Sequence, residues 1–406
     1  MYKKRSIFSY VAVVLITAIL TFGITNFITL KVGEKVVISR QNYEYYEDLD
    51  KTYGKMISLK NYIDSEYYTS TDDKNFEDSI IKGLFSALDD PYSVYMGKKE
   101  FDDFMTHTSG TYGGIGVIMT PGKDGFITVV APIEDTPGEK AGLKSNDKIL
   151  KVNGKEVTAD KLDEAVTIIK GEAGTKVNLT VLRPETEKTF GVDITRQNIR
   201  LKTVKSKIMD NNIGYMRISM FDEQTAKDFK THLSRLEKEN INGLIIDLRN
   251  NPGGLLSQCT EIADLLLGKG TIVYTQDRTG KKTYEKSDES KVDFPYVLLV
   301  NKGSASASEI LAGAVKDTNS GVLIGTTTFG KGLVQQVKPL KDGTGFKLTT
   351  AQYFTPNGTY IHGKGIDPNI VVELPVELKE KISLSDKEDV QLQKALEVVN
   401  EKIANK

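Results

Sequence analysis

Several residue types are scarce in this chain of 406 residues, and each scarcity excludes a kind of structure or chemistry. A single cysteine, Cys259, rules out an internal disulfide, and its apolar helical surroundings are typical of a residue that fills core space. The formal net charge is only −1 and the basic residues are scattered, so nothing indicates nucleic-acid binding. The histidines are His107, His232 and His362, and none lies in a stretch built like a member of a catalytic triad.

The chain contains an uncharged stretch close to its N-terminus. Residues 7–30 carry no charge and follow Lys3, Lys4 and Arg5. A bilayer span needs about 20 apolar residues, and the preceding positive charges predict a cytoplasmic N-terminus with the rest of the chain outside. A cleaved signal peptide is the alternative, although the apolar region is long for one and no A-x-A-like site follows it. We expect a single-pass membrane anchor and an extracytoplasmic location for the remainder.

Beyond this stretch, changes of pattern divide the chain. Apolar residues every four positions, from Phe76 to Leu88, predict a helix that ends near Pro91. Short strand-like runs broken by glycine and by the turn pair Asn153-Gly154 indicate a small β domain. Strands and helices then alternate, which favours an α/β layer. We expect an α+β multidomain fold with these parts: cytoplasmic stub and transmembrane helix 1–31, helical segment 32–110, small β domain 111–197, α/β core 198–375 and helical tail 376–406.

A glycine cluster opens the β domain. Successive glycines let neighbouring backbone N–H groups point into one hollow, which can hold a carboxylate, although a plain β-turn would show the same residues. The stretch "APIEDTPGEKAGLKSNDKILKVNG" that follows, 131–154, resembles the signature of PDZ domains. By that resemblance, the loop Gly114-Ile115-Gly116 is expected to bind the terminal carboxylate of a peptide, which would join the sheet as an added strand.

The stretch "NKGSASASEILAGAV" places serines between a buried strand and a helix. The positive end of the helix dipole favours developing negative charge there, but Ser306-x-x-Glu309 is also a capping box that would only start the helix. A nucleophilic serine needs a base. The motifs G-x-S-x-G and S-x-x-K are absent, so a base would have to come from elsewhere in the chain.

Lys331 is a candidate for that base. The spacing from Gly325 to Gly330-Lys331 is that of a phosphate-binding loop, but Gly332 replaces the required Ser or Thr and no convincing helix follows. No Asp or Glu occurs from Thr318 to Lys341, and the neighbours are apolar. Apolar burial lowers the pKa of a lysine, so a neutral amine that accepts a proton is expected here.

Taken together, "SASASEILAGAVKD" and "TTTFGKGLVQ" resemble the core of the carboxy-terminal processing, or tail-specific, proteases. The resemblance runs from Phe76 onward and includes "LDDPYSVYMGKKEFDDF", "DLRNNPGG" and "YFTPNGTYIHGKGIDPN". It implies that Ser306 is the nucleophile, that Lys331 is its base and that Gln335 positions the lysine. The oxyanion donors would be the N–H of Ala307 and one of "NNPGG", either Gly253 or Gly254.

With these resemblances, the sequence predicts a membrane-anchored serine endopeptidase with a Ser/Lys dyad. It is expected to capture flexible C-terminal tails of proteins through its PDZ domain and to cleave them by way of an acyl-enzyme. No metal or other cofactor is expected, and the family implies a homodimer or a larger homo-oligomer. Two other functions fit parts of the pattern. One is a non-catalytic PDZ scaffold, and the other is a Ser/Lys esterase or amidase that acts on small substrates.

Overall fold

The computed structural model describes residues 2–27, 30–32, 35–379 and 384–405. The chain forms two compact units, Met1–Ile81 and Lys82–Lys406. The elements that begin in the first unit are α1 (Tyr2–Phe27), β1 (Leu30–Val32), β2 (Lys35–Val37), α2 (Arg40–Glu66) and α3 (Asp73–Ser86). The start of α2 is fixed by Ser39, whose hydroxyl accepts from the N–H of Asn42. The helix expected toward Pro91 exists but ends at Ser86, so Leu88 lies beyond it, and Leu84 is exposed.

The uncharged N-terminal stretch is divided between a helix and a strand. α1 ends at Phe27 and β1 begins at Leu30, whereas residues 28 and 29 lie outside the described residues. Within the described part of the chain, no helix is both long enough and apolar enough to cross a membrane. The structure therefore does not support the transmembrane anchor expected over residues 7–30.

The second unit opens with a strand and a helix and continues into a small β domain. Its elements up to residue 200 are β3 (Val94–Met96), α4 (Lys98–Ser109), β4 (Thr111–Gly114), β5 (Val117–Pro121), β6 (Ile127–Pro132), α5 (Pro137–Lys140), β7 (Lys148–Val152), β8 (Lys155–Glu156), α6 (Leu162–Ile169), β9 (Lys176–Arg183), β10 (Lys188–Thr195) and β11 (Gln197–Arg200). The antiparallel sheet has the order β10-β9-β7-β6-β5, with β8 paired to β7. Asn153 and Gly154 form the predicted turn between β7 and β8, both at positive φ.

The β domain has a hydrophobic core of its own. The alternation of apolar and polar residues in β9 buries Val177, Leu179 and Val181, and α6 contributes Ala165 and Ile169. The domain joins the rest of the unit through the antiparallel ribbon of β4 and β11. At its base the N–H of residue 201 donates to the carbonyl of residue 110 over 2.9 Å, so the two connecting segments lie side by side.

The remaining elements form the α/β core. They are β12 (Val204–Met209), β13 (Ile213–Ile218), α7 (Thr225–Lys238), β14 (Gly243–Asp247), α8 (Leu256–Leu266), β15 (Gly270–Asp277), β16 (Lys282–Ser287), β17 (Tyr296–Val300), α9 (Ala307–Thr318), β18 (Val322–Gly325), β19 (Leu333–Pro339), β20 (Gly345–Phe354), β21 (Ile370–Val371), α10 (Val376–Lys379) and α11 (Val390–Ala404). Residues 380–383 of the predicted helical tail lie outside the described residues. The main sheet has the order β12-β13-β14-β17-β18-β21, parallel from β13 onward.

Both faces of this main sheet are covered, which explains its continuous apolar strands. Leu244 and Ile246 of β14 face the core that includes α7, α8 and α9, whereas Ile245 faces α11. Cys259 of α8 is fully buried, as expected for a space-filling residue, and burial raises the pKa of its thiol. A second, antiparallel sheet has the order β16-β15-β20-β19, and β3 pairs with β20.

Candidate active site

Three loops meet beyond the carboxyl ends of β14, β17 and β18, where ligands of parallel sheets usually bind. They line a cavity of about 440 Å³ that is mostly apolar. Ser306, Lys331 and Gln335 all line it, together with the oxyanion candidates Gly253, Gly254 and Ala307. The structure thus brings together every core residue that the sequence singles out, although these residues come from three separate segments between Gly253 and Gln335.

Ser306 stands at the start of α9 in a strained backbone conformation. Its φ of 53° and ψ of −114° are unusual for a residue with a side chain, and such strain is concentrated at functional sites. The neighbouring serines are fully buried and hold the loop after β14: Ser304 donates to the carbonyl of Leu248 over 2.8 Å, and Ser308 donates to that of Asn251 over 3.0 Å. Of the three serines in the motif, Ser306 is the one that lines the cavity.

Lys331 is partly buried beside the second sheet. Its Nζ lies 4.8 Å from the centre of the Tyr92 ring. Among the described residues, Nζ makes neither a salt bridge with a carboxylate nor a hydrogen bond with Ser306 Oγ. Burial lowers the pKa of Lys331 to about 8, helped by the positive charge of Lys347 and opposed by Asp90 and Glu309. A substantial fraction of this amine is therefore neutral near physiological pH.

Glu309 ties the serine loop to the lysine loop. Its buried carboxylate accepts four hydrogen bonds. One comes from the N–H of Ser306 at 2.9 Å. The others come from the lysine loop: the N–H of Lys331 at 2.8 Å, the N–H of Gly330 at 2.7 Å and the hydroxyl of Thr328 at 2.5 Å. The sequence identified Glu309 only as a capping residue, since its other partners lie about 20 positions later in the chain.

Tyr353 of β20 makes a second link between the same loops. Its buried hydroxyl donates to the carbonyl of Ser306 over 3.0 Å and also contacts the carbonyl of Lys331. Burial raises the pKa of Tyr353 well above its ordinary value, so the hydroxyl remains a donor. The relative position of Ser306 and Lys331 is therefore fixed through their backbones, while their side chains face the cavity.

Gly253 and Gly254 both approach the serine loop closely but differ in their hydrogen bonding. A side chain on Gly253 would meet Ser306 Cβ at 2.8 Å and the nitrogen of Ala307 at 2.9 Å. The N–H of Gly253 donates to Asn251 Oδ1 over 2.9 Å. Within the described part of the chain, the N–H groups of Gly254 and Ala307 have no acceptor.

Other residues complete the lining. Gln335 of β19 donates to Thr349 over 3.3 Å, and no bond from its amide to Lys331 Nζ occurs among the described residues. His107 and Lys347 also line the cavity, and the sequence analysis assigned neither to the site. The strand register partly explains why Lys347 lies at the site. Lys347 and Thr349 are two positions apart and therefore on the same face of β20, and Thr349 is paired with Gln335. Over the residues that the structure describes, no cluster of His, Cys, Asp and Glu could hold a metal ion.

The predicted peptide-binding loop lies in the β domain, outside this cavity. Gly114 ends β4, Ile115 is buried, and Gly116 has a φ of 72°. A side chain on Gly116 would collide with Thr136, whose hydroxyl donates to the carbonyl of Gly116 over 3.0 Å. The loop leads directly into β5, the strand at one edge of the sheet.

Comparisons with known proteins agree with this architecture. The family model "Peptidase family S41" matches residues 212–372, a PDZ domain model matches residues 128–183, and a model of the N-terminal domain of the activating protease CtpB matches residues 14–100. A solved structure from Bacteroides fragilis described as an S41 protease shares the fold, with a TM-score of 0.50 at 14% identity, over 83% of this chain and 91% of that one.

Sequence relatives are closer. The carboxy-terminal processing protease CtpA of Bacillus subtilis is 41% identical over 365 residues, which cover 89% of this chain and 77% of the relative. The carboxy-terminal processing protease CtpB of the same organism is 40% identical over 354 residues, which cover 84% and 74%. The chain therefore belongs to the carboxy-terminal processing proteases of peptidase family S41, serine-type peptidases that here carry a PDZ domain.

Proposed function

We propose that this protease is an endopeptidase whose catalytic groups are Ser306 and Lys331, acting as a nucleophile and a general base. The observation that carries this proposal is the lowered pKa of Lys331, a partly buried amine without a carboxylate partner in the described part of the chain, in the same cavity as Ser306. An ordinary lysine is almost fully protonated at neutral pH and cannot accept a proton. The environment of Lys331 removes that obstacle.

The reaction proceeds in two halves. Neutral Lys331 accepts the hydroxyl proton of Ser306 while Oγ bonds to the scissile carbonyl carbon. The protonated amine then gives that proton to the leaving nitrogen, the C–N bond breaks, and an ester joins the substrate to Ser306. Water attacks this ester, Lys331 accepts a proton from the water and returns it to Oγ, and the new carboxylate leaves. Because Nζ makes no hydrogen bond with Oγ among the described residues, the lysine side chain has to move closer to Ser306, and we expect Gln335 to supply an orienting hydrogen bond.

The oxyanion would be bound by the backbone N–H groups of Ala307 and Gly254. The free N–H groups favour this pair, because the N–H of Gly253 already donates to Asn251. Gly253 then has a supporting role, since its lack of a side chain lets the loop approach Ser306. This assignment chooses between the two glycines that the sequence left open.

The PDZ domain indicates that protein C-terminal tails are bound as substrates. We propose that a tail adds to the free edge of β5 and that its terminal carboxylate is held by the N–H groups around Gly114, Ile115 and Gly116. The rest of the flexible tail would extend toward Ser306. Replacement of the terminal carboxylate of the tail by an amide should therefore weaken its binding to the PDZ domain.

The decisive experiment is incubation of an unfolded protein with the wild type, Ser306→Ala, Lys331→Ala and the exposed-lysine control Lys338→Ala. Loss of the general base is expected to lower kcat/KM by about 10²–10⁴-fold, while Lys338→Ala cleaves like the wild type. Equal cleavage by Lys331→Ala and the wild type would refute the dyad. An intact substrate in every sample would instead favour a scaffold, and turnover of small esters alone would favour an esterase.

Location and assembly stay predictions from the sequence. An extracytoplasmic catalytic domain is expected from the charges before residue 7, and a homodimer or larger homo-oligomer is expected from the family. Protease accessibility of the domain in intact cells tests the first, and light scattering of the purified protein tests the second. A domain protected until cells are lysed would contradict the extracytoplasmic location.

A further inference from the structure

Lys347 brings a second positive charge into the active-site cavity. It lies in β20 between Val94 of β3 and Val337 of β19, which are its partners in the two strand pairings. Its side chain reaches the cavity, where Nζ lies 5.5 Å from the centre of the Phe104 ring of α4. The side chain is thus held between two strands and a helix, and its charge has a defined position.

Among the described residues, no carboxylate forms a salt bridge with Lys347. Burial lowers the pKa of its amine, and the charge of Asp90 partly opposes that effect. The cavity is lined by no Asp or Glu, and much of the lining is apolar. The nearby carboxylates accept hydrogen bonds from other groups. Asp90 accepts from the N–H of Tyr92 and the hydroxyl of Ser93, and Glu309 accepts its four hydrogen bonds from the serine and lysine loops. A partly buried ammonium without a partner is costly, and it attracts an anion that can enter the same space.

Lys331 cannot provide the same attraction during the reaction. As the base it must be neutral when the substrate binds, and it becomes positive only after it has accepted the proton of Ser306. Lys347 has no such role in the proposed reaction, and its side chain lines the same cavity. When Lys331 is neutral, the ammonium that can attract a bound peptide there is that of Lys347.

We propose that Lys347 forms a subsite for a carboxylate of the peptide substrate close to the scissile bond, so that the enzyme prefers bonds with an acidic group nearby. The inference rests on the proposed function, because it takes the cavity of Ser306 as the place where the peptide is cleaved. The carboxylate can come from an Asp or Glu side chain or from the terminus of a short tail. Both present the same anion to the ammonium.

The test uses peptides with one mapped cleavage site. In one series, a single Gln is changed to Glu at each position within four residues of the cleaved bond. In a second series, the peptide ends shortly after the bond with either a free carboxylate or an amide. The readout is the ratio of kcat/KM for the acidic and the neutral member of each pair, measured at one pH for the wild type, Lys347→Met, Lys347→Arg and the exposed control Lys338→Met.

For the wild type we expect one position at which the acidic peptide is cleaved about tenfold better than the neutral one. The ratio should fall to about one in Lys347→Met and remain in Lys347→Arg and Lys338→Met. The series that shows the effect identifies the source of the carboxylate. Because each ratio is taken within one variant, a change in the pKa of Lys331 cancels.

Two failures can be told apart. If the wild type cleaves the peptides but no acidic position is preferred, or if Lys347→Met keeps the preference, the subsite is refuted and the dyad stands. If Ser306→Ala cleaves as well as the wild type, the proposed function fails and the subsite fails with it.

Discussion

At the scale of single residues, Glu309 decides how the two catalytic candidates meet. A hydrogen bond to a charged acceptor contributes about 1.5–3 kcal/mol, and Glu309 accepts four from both loops while it is fully buried. Tyr353 adds a link from the opposite side. We therefore regard Glu309 as a positioning residue: its carboxylate fixes the backbones of Ser306 and Lys331, which carry the proposed nucleophile and base.

Glu309→Gln should lower kcat/KM by about 10²-fold or more, because an amide would turn an N–H group toward donors that now find a carboxylate. The variant should also move the acid limb of the pH profile to lower pH. The negative charge of Glu309 raises the pKa of Lys331, so its removal lowers that pKa. Steady-state kinetics between pH 6 and 9 would check both effects. A loss of activity with an unmoved limb would mean that Glu309 is merely structural.

At the scale of elements, a buried ionic cluster connects β14 to the C-terminal helix. Arg249 bonds Asp247 at 2.7 Å on one side and Asp389, the cap of α11, at 2.7 Å on the other. Burial would raise the pKa of Asp247, but the hydrogen bonds and the charge of Arg249 hold it below its ordinary value. The "DLR" of the sequence motif thus anchors α11 over the second face of the main sheet.

Arg249→Met should destabilise the fold by about 3–5 kcal/mol, because it removes the cation that bonds two buried carboxylates at 2.7 Å. Arg217→Met is the matched control: Arg217 approaches Asp247 only to 3.6 Å and is substantially exposed, so its loss should cost about 1 kcal/mol or less. Urea denaturation followed by circular dichroism measures both changes. Similar stabilities for the two variants would show that the cluster does not hold α11.

The sequence was most informative where local pattern and burial agree. In the structure, Phe229, Leu233 and Leu236 of α7 and Val177, Leu179 and Val181 of β9 are buried at the spacing that helical and strand periodicity require. The site is different in kind. Partners far apart in the chain, such as Glu309 with Gly330 or Lys347 with Phe104, leave no local periodicity, so only the folded chain reveals them.

The helix expected between Phe76 and Pro91 shows the limit of the same reasoning. Spacing by four predicted one apolar helix face through Leu88, yet α3 ends at Ser86. Three residues later Asp89 has a positive φ, and Pro91 follows it. The apolar stretch at the N-terminus likewise predicted one long span, whereas a helix and a strand share it. Apolar content therefore identified both segments but not where each element stops.

At the scale of the whole molecule, the PDZ domain and the α/β core of the second unit have separate hydrophobic clusters. The hydrophobic cluster of the PDZ domain and the clusters on either face of the main sheet have no residue in common. The domain leaves and re-enters the chain at adjacent points, the hydrogen-bonded residues 110 and 201. We therefore expect that the PDZ domain can be altered or removed without disrupting the core that carries Ser306.

Removal of residues 111–200, with a two-residue Gly-Ser linker in their place, should leave a folded core. We expect this variant to cleave short peptides but to lose about tenfold or more in cleavage of a protein that carries a flexible tail, since the tail is no longer held near Ser306. Parallel assays with tailed and tail-free versions of one protein check this. An unchanged preference for the tailed protein would place tail recognition outside the PDZ domain.

The most direct test of a neutral Lys331 as the base is the pH dependence of kcat/KM for the wild type and His107→Asn, the histidine that also lines the cavity. Below the pKa of about 8, both proteins should lose a factor of ten for each pH unit as Lys331 becomes charged. The charges of Lys347, Asp90 and Glu309 help to set the pKa of Lys331 and hence the position of the acid limb, and His107→Asn removes none of these charges. An acid limb that is present in the wild type and vanishes in His107→Asn would make the histidine the base and contradict the account.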